Sequence, residues 1–156
     1  MAQAVVVLQA RMGSARLPGK VLARINGRTV LEHCLLRLAS SGLPVVVATT
    51  TLPEDDRIER EAIRHGAEVF RGDSADVLGR VIGAAQASAA FEIIRATADN
   101  PLVDAGSAAR VLELRRRVQA DHVVECGLPV GAAVEAVTVP ALLRSEALIA
   151  DPYDRE

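Results

Sequence analysis

Four short runs of aliphatic, largely β-branched residues, at 5–10, 44–49, 67–71 and 92–97, recur along the chain with a helical pattern between each pair. Apolar runs of this length without strict alternation suit strands buried on both faces, which occur in parallel sheets covered by helices. The segment from Thr29 opens with a capping-box spacing to Glu32. It sets Val30, Leu31, Cys34, Leu35 and Leu38 on one face and stops at Gly42. Residues 53–65 read as a charged helix ending before Gly66. Residues 76–88 read as a helix burying Val77, Leu78, Val81, Ile82 and Ala85. A fourth helix, 106–119, carries Arg115, Arg116 and Arg117, read as a solvated face. The alternation predicts an α/β fold: a Rossmann-like, mostly parallel sheet with helices on both faces and ligands at the carboxyl ends of the strands. Further on, 121–126 and 133–139 read as two more strands, joined by "GLPVGA" and followed by a short helix from Pro140. No repeat or linker divides residues 1–156, which are expected to form a single domain.

Composition narrows the function. Half of the residues are apolar, yet only Phe70, Phe91 and Tyr153 are aromatic, so the core must be aliphatic and no stacking platform for single-stranded nucleic acid is available. A formal net charge of −2 argues against a general nucleic-acid or membrane-surface binder, and any phosphate recognition must be local. The apolar stretch from Ala4 to Leu8 is too short for a signal sequence or a span. Cys34 and Cys126 form no CxxC pair and read as reduced packing residues, making the cytoplasm the default compartment. His33, His65 and His122 share no metal-ligand or triad spacing.

The chemistry concentrates in "LQARMGSARLPGK", which leaves the first strand. A glycine-bearing loop after a strand offers backbone N–H groups and local positive charge to a phosphate chain. Gly13 and Gly19 permit close approach, Ser14 offers a hydroxyl, and Arg11, Arg16 and Lys20 supply charge. The spacing is not that of a Walker A loop, because Val21 follows Lys20 where Ser or Thr should hold magnesium. Nor does it fit the dinucleotide GxGxxG fingerprint. From spacing alone, a phosphate site and a surface loop of solvated cations stand at even odds.

"VVLQARMGSARLPGKVL" resembles the amino-terminal signature of the sugar-nucleotide cytidylyltransferases, in particular the branch of spore coat polysaccharide biosynthesis protein F, close to the acylneuraminate cytidylyltransferases. The resemblance continues in order through "VVVATT", "VFRGDSADVLGR", "IIRATADNPLVD", "ADHVV" and "LPVGAAVEAVTVPAL". It implies a nucleotide-diphospho-sugar transferase fold. It also implies transfer of CMP from CTP to an acidic, nonulosonic-type sugar for surface polysaccharide, with release of pyrophosphate. Ala10, Arg11, Gly13, Ser14, Arg16 and Lys20 would then wrap the triphosphate, with Arg16 and Lys20 acting on charge that builds toward the leaving group. Asp99 would hold Mg²⁺ and rank with Arg16 and Lys20 as catalytic. Arg71 and the backbone near Gly72 would read the base, or Arg71 would close a salt bridge at a strand end. Asp104 would serve the acceptor or cap the next helix, and Glu135 would contact the acceptor or stand as an exposed strand carboxylate. Ala133 occupies a place where the family's "GLDVE"-like element carries aspartate. The family pattern also continues beyond "DPYDRE" with a second metal-holding aspartate and dimer contacts, so the chain reads as a shortened form and a homodimer is left open. The rival readings are a binding module without catalysis and a transferase for another nucleotide or sugar.

Overall fold

The computed structural model describes residues 3–14 and 16–149. In chain order the elements are β1 (Ala4–Gln9), a 3-10 turn (Lys20–Leu22), β2 (Arg24–Ile25), β3 (Arg28–Thr29), α1 (Val30–Ala39), β4 (Val45–Thr50) and a 3-10 turn (Pro53–Asp55). There follow α2 (Asp56–Arg64), β5 (Glu68–Gly72), α3 (Val77–Ala87), β6 (Glu92–Thr97), α4 (Ser107–Val118), β7 (His122–Val124), β8 (Glu135–Thr138) and α5 (Val139–Leu148). Six strands form one sheet in the order β5-β4-β1-β6-β8-β7. The first four in that order run parallel, as the apolar runs predict. β8 is antiparallel to both β6 and β7. No helix intervenes between β7 and β8, and neighbouring strands joined without a crossover run antiparallel. The strand expected over 121–126 contracts to His122–Val124 because only these three residues pair with β8.

β1 is the axis of the core. Val5, Val6, Val7 and Leu8 are all fully buried, each side chain contributing about 1.5–3 kcal/mol on transfer from water. Successive residues point to opposite faces. Val6 and Leu8 meet Leu31 and Leu38 of α1, Ile58 of α2 and Val111 of α4, whereas Val5 and Val7 meet Val81, Ala84 and Ala85 of α3. Thr29 caps α1 as its spacing to Glu32 predicts: its hydroxyl accepts from the Glu32 amide at 3.0 Å and donates to Glu61 at 2.9 Å, tying α1 to α2.

Two features depart from the sequence reading. β2 and β3 form a hairpin about Asn26 (φ 50°) and Gly27 (φ 84°), an Asn-Gly pair of the kind that suits a tight two-residue turn. The arginine triplet is not a uniformly solvated face. Glu92, at the start of β6, is wholly buried, and Arg115 and Arg116 both form ion pairs with it, while Arg117 is exposed. A carboxylate so far from water requires a paired cation, and α4 supplies two.

Arg115→Ala should therefore lower unfolding free energy by about 3 kcal/mol, the low end of the usual cost of breaking a buried pair because Arg116 remains. Arg117→Ala should stay within about 0.5 kcal/mol of the parent. Urea unfolding midpoints at neutral pH distinguish the two.

Candidate functional site

After β1 the chain proceeds outward through β4 and β5, then returns to place β6 on the other side of β1. Ligands of open α/β sheets bind where the strand order reverses in this way, beyond the carboxyl ends of the strands. The loop after β1 and the turn after β6 face each other across this point. Gly19, in left-handed conformation (φ 72°), closes the loop by donating its N–H to the Met12 carbonyl at 2.9 Å. That turn aims Lys20 across the reversal, where its Nζ lies 2.5 Å from Oδ2 of Asp99.

A cavity of about 370 Å³ opens there, and its lining includes Arg11, Arg16, Lys20, Arg80 and Asp99. Four cations against one carboxylate leave the lining strongly positive. Ala10, Gly13 and Ser14 complete the loop wall. The structure thus brings together seven of the residues that the sequence nominates: Ala10, Arg11, Gly13, Ser14, Arg16, Lys20 and Asp99. Burial pushes the Asp99 carboxyl toward its neutral form. Hydrogen bonds from Lys20 and Thr97 outweigh burial and hold it below the ordinary carboxylate range. An ionised, partly exposed carboxylate is a hard oxygen donor, so Asp99 has the chemistry to serve as a ligand to a magnesium ion.

Arg80 is the residue that sequence reasoning missed. It projects from α3 and is 5% exposed, and its guanidinium donates to the carbonyls of Asp73 and, at 3.1 Å, Ser74. Burial, then repulsion from Arg11, lowers its pKa. The available signal was a lone charge in the mostly apolar helix "VLGRVIGAAQA".

Arg71 and Gly72 need correction. Arg71 does not line the cavity: its guanidinium donates to the carbonyls of Thr50 (2.8 Å) and Leu52 (2.9 Å) and pairs with Asp56 and Glu59, both at 2.7 Å. These bonds fix it to the outer end of β4 and to α2, the salt-bridged alternative. Gly72 does not reach the cavity either; a Cβ there would lie 2.9 Å from Cγ of Arg80, so its bare backbone makes room for that side chain. Asp104 lines neither cavity: it accepts from the Gly106 amide at 3.0 Å in the turn before α4 and pairs with Arg110, but it does not cap the helix, whose N-cap position is Gly106. Glu135 lies in a second cavity of about 680 Å³ between α3, β8 and α5, paired with Arg95 at 2.6 Å and His122 at 2.8 Å. Val77 lines both cavities, so they adjoin.

The fold also gathers Glu61 and His65, one helical turn apart at i,i+4, with Glu32 of α1. The two carboxylates are engaged by Arg28, Arg64 and Thr29, and none of the three residues lines the cavity at the strand reversal.

With this geometry in place, likeness to known proteins is informative. Residues 5–148 match the cytidylyltransferase family, and the chain belongs to it. It is 33% identical over 143 residues to the spore coat polysaccharide biosynthesis protein SpsF of Bacillus subtilis, covering 88% of this chain and 60% of that protein. It is 34% identical over 152 residues to an uncharacterized protein of Methanocaldococcus jannaschii, covering 96% of this chain and 63% of that one. A 3-deoxy-manno-octulosonate cytidylyltransferase of Hydrogenovibrio crunogenus is 35% identical over 113 residues, 69% of this chain and 44% of that enzyme. The chain thus spans about three fifths of the first two proteins. Among solved structures, a cytidylyltransferase from Leptospira borgpetersenii superposes with a TM-score of 0.93 at 32% identity, covering 100% of this chain and 68% of that one. A CMP:2-keto-3-deoxy-manno-octonic acid synthetase complexed with CTP shares the fold, with a TM-score of 0.78 at 21% identity, covering 98% and 81%.

The balance at Asp99 can be tested directly. Its folded pKa lies below the unfolded value near 4, so the Lys20 pair stabilises the fold above that pH, and the contribution is lost as pH falls through the folded value. In Lys20→Met, burial is opposed only by the remaining hydrogen bonds, and the Asp99 carboxyl should titrate at clearly higher pH. A carboxyl ¹³C titration by NMR checks this.

Proposed function

We propose that the cavity at the strand reversal binds the triphosphate of CTP, and that the protein transfers CMP to an acidic 2-keto sugar in the cytoplasm, for surface polysaccharide. The observation that carries this reading is the convergence of Arg11, Arg16, Lys20 and Arg80 on one cavity with a single ionised carboxylate, Asp99, opposite. A polyphosphate is the common small metabolite with matching charge density, and the family membership supports a cytidine nucleotide. Names among the similar proteins, a spore coat polysaccharide protein and an octulosonate cytidylyltransferase, support the sugar acid.

In the reaction, an acceptor hydroxyl oxygen forms a bond to the α-phosphorus, the hydroxyl proton is lost, and the bond to pyrophosphate breaks. Positioning and neutralisation dominate such a displacement, and no covalent nucleophile on the protein is needed. Arg16 serves as a forked donor to phosphate oxygens. Lys20 exchanges its Asp99 partner for the developing charge on the leaving group. Asp99, freed of Lys20, would hold Mg²⁺, which supplies additional neutralisation of the phosphates. The adjoining cavity with Glu135, Arg95 and His122 takes the acceptor, Arg95 facing its carboxylate and Glu135 a hydroxyl.

CTP with Mg²⁺ should raise the melting temperature more than UTP, GTP or ATP does, and equal shifts would refute the cytosine preference. Arg16→Ala and Lys20→Ala should each weaken CTP binding at least tenfold, the size expected for one charged hydrogen bond, whereas Arg117→Ala should leave it unchanged. Pyrophosphate release against a panel of 2-keto sugar acids tests the transfer. Binding without release would identify a nucleotide-holding module instead.

A further inference from the structure

Asp55 is a buried charge close to the phosphate loop, yet it lines neither cavity. It sits at the end of the 3-10 turn after β4 and is 1% exposed. Its Oδ1 accepts the backbone N–H of Met12 at 2.7 Å, spanning 43 residues of sequence. Its Oδ2 accepts the amide of Thr50 at 3.3 Å and the Thr50 hydroxyl. The Thr50 hydroxyl in turn accepts from the Leu52 amide at 3.2 Å, while the turn that presents Asp55 is closed by the backbone, the Asp55 N–H donating to the Leu52 carbonyl at 3.0 Å. One carboxylate thus links the edge of β4 to the early part of the loop that carries Gly13 and Ser14.

An anion beside a polyphosphate site opposes binding by direct repulsion, so its presence there calls for another role. Bonds from backbone N–H to a buried carboxylate are short, strong and directional. The Met12 amide is pinned by Asp55 while the Met12 carbonyl is pinned by Gly19, so both sides of this residue are fixed before any ligand arrives. The peptide that follows, carrying the Gly13 N–H, thereby inherits a set orientation at the cavity wall.

We infer that Asp55 is a positioning residue: its carboxylate clamps Met12 and so preorganises the Gly13–Ser14 backbone and the cations beyond it for a polyphosphate. This rests on the nucleotide reading above. Positioning and simple electrostatics predict opposite signs. Asp55→Asn keeps the shape but removes the charge, and it leaves one acceptor oxygen for two backbone N–H donors, Met12 and Thr50. The clamp is thus weakened, while relief of repulsion would tighten anion binding if charge alone mattered. If the clamp matters, binding weakens.

The test is calorimetric titration with inorganic tripolyphosphate, which has no base, on the folded protein. Asp55→Asn should bind at least tenfold more weakly than the parent. Thr50→Val, which removes a bond to the other carboxylate oxygen but leaves the Met12 bond, should melt lower yet bind within twofold of the parent. Equal or tighter binding by Asp55→Asn overturns the inference, as does an equal loss in Thr50→Val, which would reduce Asp55 to a general structural role. Failure of the parent to bind tripolyphosphate would instead sink the nucleotide reading. The clamp is then judged by amide hydrogen exchange: Met12 should exchange at least tenfold faster in Asp55→Asn with the β1 amides unchanged, and unchanged Met12 exchange overturns it. Should Asp55→Asn not fold, the parent decides. A Met12 amide protected from exchange in the free protein supports the clamp, and an unprotected one overturns it.

Discussion

The placement of β1 between two parallel neighbours is the constraint from which the rest follows. Its four central side chains are sealed on both faces, so the strand can neither slide nor turn over without exposing aliphatic surface. With β4 on one flank and β6 on the other, both loops that follow these parallel strands are delivered to the same edge as the loop after β1. The meeting of Lys20 with Asp99, 79 residues apart in sequence, is a product of that arrangement. Neither residue needs a local motif to find the other.

The cavity at this edge is built in layers. The exposed Arg11 and Arg16 and the half-buried Lys20 of the first loop form its outer wall, and the buried Arg80 forms an inner one. Asp99 balances Lys20 in the free protein and presents a ready oxygen ligand when that ammonium turns elsewhere. A ligand that is both strongly anionic and able to carry a divalent cation would use every part of this arrangement, which is what the proposed nucleotide reading requires.

How much of this was legible in the sequence depended on whether the signal was local. The apolar runs named the parallel strands because burial on both faces leaves no room for polar alternation, and Thr29 announced its helix through a cap that acts over three residues. The loop cations were visible because they cluster with glycines. For Arg71 the sequence left a base contact and a strand-end salt bridge both open, because its partners Asp56 and Glu59 lie on a helix whose packing only the fold reveals. Arg115 looked solvated because three adjacent arginines suggest exposure, and nothing nearby in sequence marks Glu92 as their counter-ion. The hairpin at Asn26–Gly27 was readable and was passed over; Arg80 was readable only as an anomaly in an apolar helix.

Gly72 gives the architecture an unexpected lever. A methyl group at that position would press on Cγ of Arg80 and on the Phe70 ring, so α3 would have to shift or the guanidinium would have to find another path. Either response moves a side chain of the cavity wall without replacing any residue in that wall. Substitution at this single backbone spot thus reaches the cavity wall from outside it, and a scan limited to wall residues would overlook it.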